Sequence, residues 1–156
     1  MIFLEGYSKI LLFVHFALTI ILIGASAHNG CAVFGFVRGK YDMALSERRF
    51  AFHMLWSYIS VFIFGALVYP VFRVRVRHEF FDKLMPWCTG LFEIKEHLAS
   101  FGLALIIAYY IVGRNLDPAA EKGKLLYFYF PAVIFINAIV WYLTIAGFYL
   151  TSVRSV

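Results

Sequence analysis

Five histidines, His15, His28, His53, His78 and His97, occur in a chain that is 63% hydrophobic and only 15% charged. All but His78 fall in or at the ends of apolar runs. An ionisable side chain at bilayer depth is costly, so each of these four is a functional candidate. Neutral imidazole is also the side chain best suited to bind iron inside a helical bundle. The chemistry suggested is ligation of haem iron, with electron transfer as its use.

The elements that must position these rings are membrane helices. A soluble domain is roughly half apolar and a quarter charged; this chain of 156 residues has a mean hydropathy of +0.82. About 20 apolar residues cross a bilayer. Four such spans are expected, at about 10–37, 49–72, 91–113 and 125–151, giving an all-α integral membrane protein, a four-transmembrane-helix bundle in a single membrane domain over 1–156. The run Ile10 to Ile23 followed by Ala25-Ser26-Ala27 has the form of a secretory signal with its cleavage site, but is read as the first span. Asn29-Gly30 is a weak point within it. Ser46 is a cap for the second span, and Pro70 predicts a kink or a stop near its end. A charged connector follows, ending at Met85-Pro86-Trp87. Thr89 is a cap for the third span, and Asp117-Pro118 reads as the start of a short helix before the fourth.

The net charge of +5 sits in short stretches between the spans. These are membrane-flanking anchors, not a nucleic-acid surface. Placing the 73–95 connector in the cytoplasm puts both termini there, with Arg38, Lys40, Arg48 and Arg49 opposite, so the positive-inside count is near a tie. Cys31 and Cys88 fall toward opposite faces and predict no disulfide. No CxxC, CxxCH, GxSxG, HExxH or Walker loop is present, and no lysine lies deep enough in a span for a retinal Schiff base.

Residues 4, 7 and 11 apart share a helix face. His15-Thr19-Ser26, His53-Ser57-Ser60, Glu93-His97-Ser100 and Asn137-Trp141-Thr144 each lie on one such stripe, and polar stripes should turn away from lipid. Singly, Ser and Thr in membrane helices mostly bond their own backbone, and Gly24, Gly65 and Gly102 read as packing contacts. Depth then sorts the histidines into two pairs. His15 and His97 lie on the side of the 73–95 connector, His28 and His53 on the other. Each pair draws on two helices, as a bis-histidine b haem requires. Arg48 or Arg49 at one end and Arg73 or Arg75 at the other are candidates to pair with haem propionates. Glu93, one turn before His97, is a candidate second partner of that ring or a site of quinone and proton exchange.

This layout resembles the four-helix di-haem cytochrome b subunits of membrane formate dehydrogenases and nickel-iron hydrogenases. The resemblance rests on His15, His28, His53 and His97 and is architectural. It implies haem b, one or two, with those histidines as axial ligands of the iron, and quinone at one end. It also implies other subunits of a membrane redox complex as partners, in a bacterial inner membrane. The doubled histidine is on the first helix here, and His15 and His28 are 13 residues apart, about 220° of rotation; 14 would align them. Two other readings stand beside this one. The first is a cofactor-free structural subunit of a larger membrane complex. The second is a proton or metal-ion transport component, which would need polar groups continuous through apolar mid-spans.

Overall fold

The computed structural model describes residues 2–156. Its four long helices are α1 (Ser8–Val37), α2 (Ala44–Val71), α3 (Pro86–Asn115) and α4 (Phe130–Val153). Each is long and apolar enough to cross a membrane. Together they form the four-helix membrane bundle that composition and hydropathy predict. α1 packs along α2, α3 lies against α2 and α4, and α4 returns to α1.

The boundaries differ from the sequence reading where proline and asparagine were taken as breaks. Asn29-Gly30 does not interrupt α1, which runs on to Val37. Gly30 is needed for another reason: a Cβ there would lie 3.2 Å from Asn137 Nδ2, so its lack of a side chain lets α1 approach α4. Pro70 neither stops α2 nor frees it into a loop. The chain continues as a π-helix over Phe72–Phe81 and a last helical turn, Asp82–Leu84. Proline removes one donor from the i−4 ladder, and a wider repeat carries the chain on. The expected charged connector is therefore mostly helical, and only Met85 separates it from α3. Pro86 begins α3, a position where its missing N–H costs nothing. Thr89 does not cap that helix; its hydroxyl donates to Asp82 Oδ1 at 2.7 Å. Ser46 likewise lies inside α2, which begins at Ala44. Asp117 caps a turn rather than a helix, accepting from the backbone N–H of Ala119 and Ala120. The helical turn Lys122–Lys124 and a π-helix over Leu125–Tyr129 then lead into α4, with Pro131 in its first turn.

Two apolar clusters fill the bundle. The larger joins all four helices through Leu22, Met54, Ile106, Ile136 and Val140. The smaller lies under the π-helix of the connector and contains Val76, Phe81, Cys88, Phe92 and Leu150. In lipid such packing depends on close fit rather than on water release. Glycine supplies the fit at Gly102, where a Cβ would collide with the Tyr58 hydroxyl and lie 3.0 Å from Ile139. No atom comes within 4 Å of a Cβ built at Gly24, so that glycine is not a packing contact. Cys31 and Cys88 are both free, as expected.

Candidate functional site

The hydroxyls on the expected polar stripes mostly bond within their own helix. Thr19 donates to the His15 carbonyl, Ser57 to His53, Ser60 to Trp56, Ser100 to Glu96 and Thr144 to Val140. These bonds satisfy the side chains locally and bring no two helices together.

The histidines separate. His15 is half-buried between α1 and α2, with Nδ1 3.0 Å from the Val61 carbonyl oxygen. Its ring occupies the space a Cβ on Gly65 would need, 3.1 Å from Cε1. His28 is exposed, with Nδ1 2.7 Å from the Gly24 carbonyl and its ring stacked on Phe50 at 4.9 Å. His97 is also exposed, with Nδ1 2.7 Å from the Glu93 carbonyl. His53 is exposed and meets Phe52 edge-on. Phe50, which His28 covers, is one turn before His53, so these two rings do share a depth. His15 faces into the bundle, whereas His97 is on an exposed surface of α3. The residue of α3 that reaches inward beside His15 is Lys95, whose stem packs against Gly147 of α4.

The charged candidates also find partners. Glu93 Oε1 accepts from Arg77 at 2.5 Å, so its carboxylate is an ion-pair member and does not orient the His97 ring. Arg75 is held by Glu5 at 2.8 Å and Glu79 at 3.1 Å, tying the N-terminal turn to the connector. Arg73 and Arg49 are exposed. Arg48 is exposed too, but lines a cleft.

That cleft belongs to a cluster the sequence reading did not single out. Asn29, Glu47, Tyr109 and Tyr129 are 0%, 3%, 1% and 1% exposed, and they come from α1, α2, α3 and the π-helix before α4. Glu47 Oε1 accepts from Asn29 Nδ2 at 3.0 Å, from the Tyr109 hydroxyl at 2.9 Å and from the Tyr129 hydroxyl at 2.5 Å. The Tyr109 hydroxyl shares its one proton between Glu47 Oε1 and Asn29 Oδ1, the latter 2.7 Å away, and Asn29 Nδ2 also donates to the Glu47 backbone carbonyl at 3.2 Å. The two phenol rings stack with centroids 4.3 Å apart. Gly113 makes room for Tyr129, whose ring carbons would lie 3.0 Å from a Cβ there. A carboxylate is affordable in such a place only when hydrogen-bonded, and here three donors converge on one oxygen.

The other oxygen, Oε2, makes no hydrogen bond. No buried side-chain nitrogen or oxygen among the described residues lacks a partner, so Oε2 is not fully enclosed, and Glu47 is among the residues that line the cleft. The cleft has a volume of about 310 Å³ and is lined by Glu47, Arg48, Ala51, Tyr110, Gly113, Arg114 and Tyr129. Neither it nor the smaller recess beside it is lined by a histidine. A signal for Glu47 was present: Ala51, Met54 and Tyr58 follow it at the 4, 7 and 11 spacing of the buried face. Its neighbours Ser46, Arg48 and Arg49 disguise it as part of a solvated helix start.

No family model, curated protein or solved structure matches this chain.

For haem, the donor chemistry fits better than the placement. A backbone carbonyl can only accept, so the Nδ1 atoms of His15, His28 and His97 carry the proton, and Nε2 is the lone-pair atom. That is the tautomer a metal-bound imidazole has, with its other nitrogen fixed by a backbone oxygen. The placement fits an iron at the outer surface of the bundle, where His28, His53 and His97 are exposed, and not one enclosed by His15 and His97 of the same chain. Among the described residues no three His, Cys, Asp or Glu side chains form a metal-holding group.

Proposed function

We propose that this chain is a membrane b-type cytochrome subunit that carries electrons between a quinone and a partner redox protein. One observation carries the reading: the exposed rings of His28 and His97 each hold Nδ1 on a carbonyl of their own helix, which fixes the ring and leaves Nε2 free. A haem held by such nitrogens would supply reversible one-electron chemistry within the bilayer. The residues that would hold it are His28, His53 and His97 on the outer surface, with opposing imidazoles from another subunit of a membrane redox complex. Arg49 and Arg73, exposed near opposite ends, would meet propionates in place of Arg75, which is engaged by Glu5 and Glu79. His15 has a different part, as a packed ring that fixes α1 against α2.

The test is a reduced-minus-oxidised absorption spectrum of the purified protein with its haem-to-protein ratio, on the wild type and on His53→Ala and His97→Ala. The expected result is a sharp reduced α-band, with at least one haem lost in each variant. Unchanged pigment in both would overturn the ligand assignment.

The cofactor-free structural subunit is the second reading. It is supported by the seating of His15 on Gly65 and Val61, which needs no metal. It would follow from a purified protein with no α-band. Transport has less support: Leu22, Met54, Ile106 and Ile136 close the centre of the bundle between the Glu47 cluster and His15, about 21 Å apart at 1.5 Å per residue along α1.

A further inference from the structure

The cleft beside Glu47 has a charge order that selects a ligand. The buried Glu47 lines it, and the Oε2 of that carboxylate makes no hydrogen bond. Its rim carries Arg48 and Arg114, both exposed and, among the described residues, in no ion pair. Negative charge therefore lies inside and positive charge outside. The cleft lies between the first turns of α2 and the last turns of α3, beside the chain entering α4, which is headgroup level for helices of this length.

We propose that this cleft is a headgroup site for a zwitterionic phospholipid bearing a primary ammonium group, of the phosphatidylethanolamine type. In such a lipid the ammonium is the group farthest from the acyl chains and the phosphodiester the next. Entering head first, it sets its N–H donors on Glu47 Oε2 and its phosphate between Arg48 and Arg114, while its chains remain in the bilayer. Both contacts are charge-assisted hydrogen bonds. A free phosphate would satisfy the arginines but meet the carboxylate with like charge, and a simple amine would leave the arginines unpaired. A choline headgroup has no N–H to give to Oε2. The cleft volume of about 310 Å³ is at the small end of ligand sites, sized for a headgroup and not for acyl chains. Ala51 and Gly113 line it with small residues. This inference does not depend on haem.

The test is native mass spectrometry of the full chain after reconstitution in vesicles of phosphatidylglycerol with either phosphatidylethanolamine or phosphatidylcholine. The wild type should retain one phosphatidylethanolamine and about tenfold less phosphatidylcholine. Glu47→Gln should abolish that preference, and Arg48→Ala with Arg114→Ala should lower retention of both lipids. Arg114→Glu reverses a rim charge at an exposed position and leaves the core untouched. It should reduce phosphatidylethanolamine occupancy about tenfold while circular dichroism shows unchanged helix, and it decides the matter if Glu47→Gln does not fold. Equal retention of the two zwitterionic lipids by the wild type, undiminished retention in Arg114→Glu, or co-purification of a quinone in place of the lipid would each overturn the proposal.

Discussion

One oxygen atom of Glu47 collects donors from α1, α3 and the chain entering α4, so a single side chain on α2 ties all four helices together. Removing one partner of a buried polar group leaves the rest under-satisfied, at about 1–3 kcal/mol. Tyr109→Phe deletes the hydroxyl shared by Glu47 and Asn29 without changing the ring stack. We expect it to lower stability by about that amount in detergent unfolding followed by circular dichroism; a midpoint equal to wild type would show that the cluster does not hold the bundle. The histidines give a paired contrast. His15→Ala empties the space between α1 and α2 and should destabilise the fold by about 1–3 kcal/mol through lost packing and an unmade bond. In the haem-free chain, His97→Ala removes an exposed ring and should change stability by no more than about 0.5 kcal/mol. If the same unfolding measurement ranks them the other way, His15 is not the packed ring.

At the scale of elements, the two π-helical stretches lie beside prolines, at Phe72–Phe81 after Pro70 and at Leu125–Tyr129 before Pro131. Their wider repeat rotates the side chains they carry. Arg77 thereby reaches Glu93 and Asp82, and Tyr129 reaches Glu47. Restoring the ladder donor with Pro70→Ala should let an ordinary α repeat run on and turn Arg77 away from Glu93. Crosslinking of an Arg77→Cys/Glu93→Cys pair by a short bismaleimide, in a background lacking Cys31 and Cys88, should then fall; unchanged crosslinking would show that Pro70 does not set this register. The hydropathy of the spans is readable without a fold because each residue contributes to it alone. The π repeats are not, because a proline in a helix admits a kink, a stop or a widened turn, and neighbouring helices decide among them.

For the whole molecule, two layers of inward-facing polar groups, one buried and one half-buried, lie at different depths with an apolar centre between them. Asn29 and Glu47 occupy one, and His15 and Lys95 the other. Gly102→Val tests that centre. The added side chain would drive the Tyr58 hydroxyl from its 2.9 Å bond to the Ala99 carbonyl and push α2 from α3. We expect a loss of about 1–3 kcal/mol, within the range of overpacked cores, with helix content retained, read by thermal unfolding in detergent.

The amino-acid sequence by itself determined that four helices cross a membrane, because apolar length and sparse charge are properties of each segment separately. It also marked the histidines, since ionisable groups in such segments stand out one at a time. Only the tertiary structure decided that His15 turns inward while His28, His53 and His97 face out, and that Lys95, not His97, reaches the interior. It alone brought Glu47 to Asn29, Tyr109 and Tyr129, the last of them 82 positions away along the chain. The reason is geometric: the rotation of a helix about its own axis is set by the neighbours it packs against, and buried polar groups must find partners on other helices.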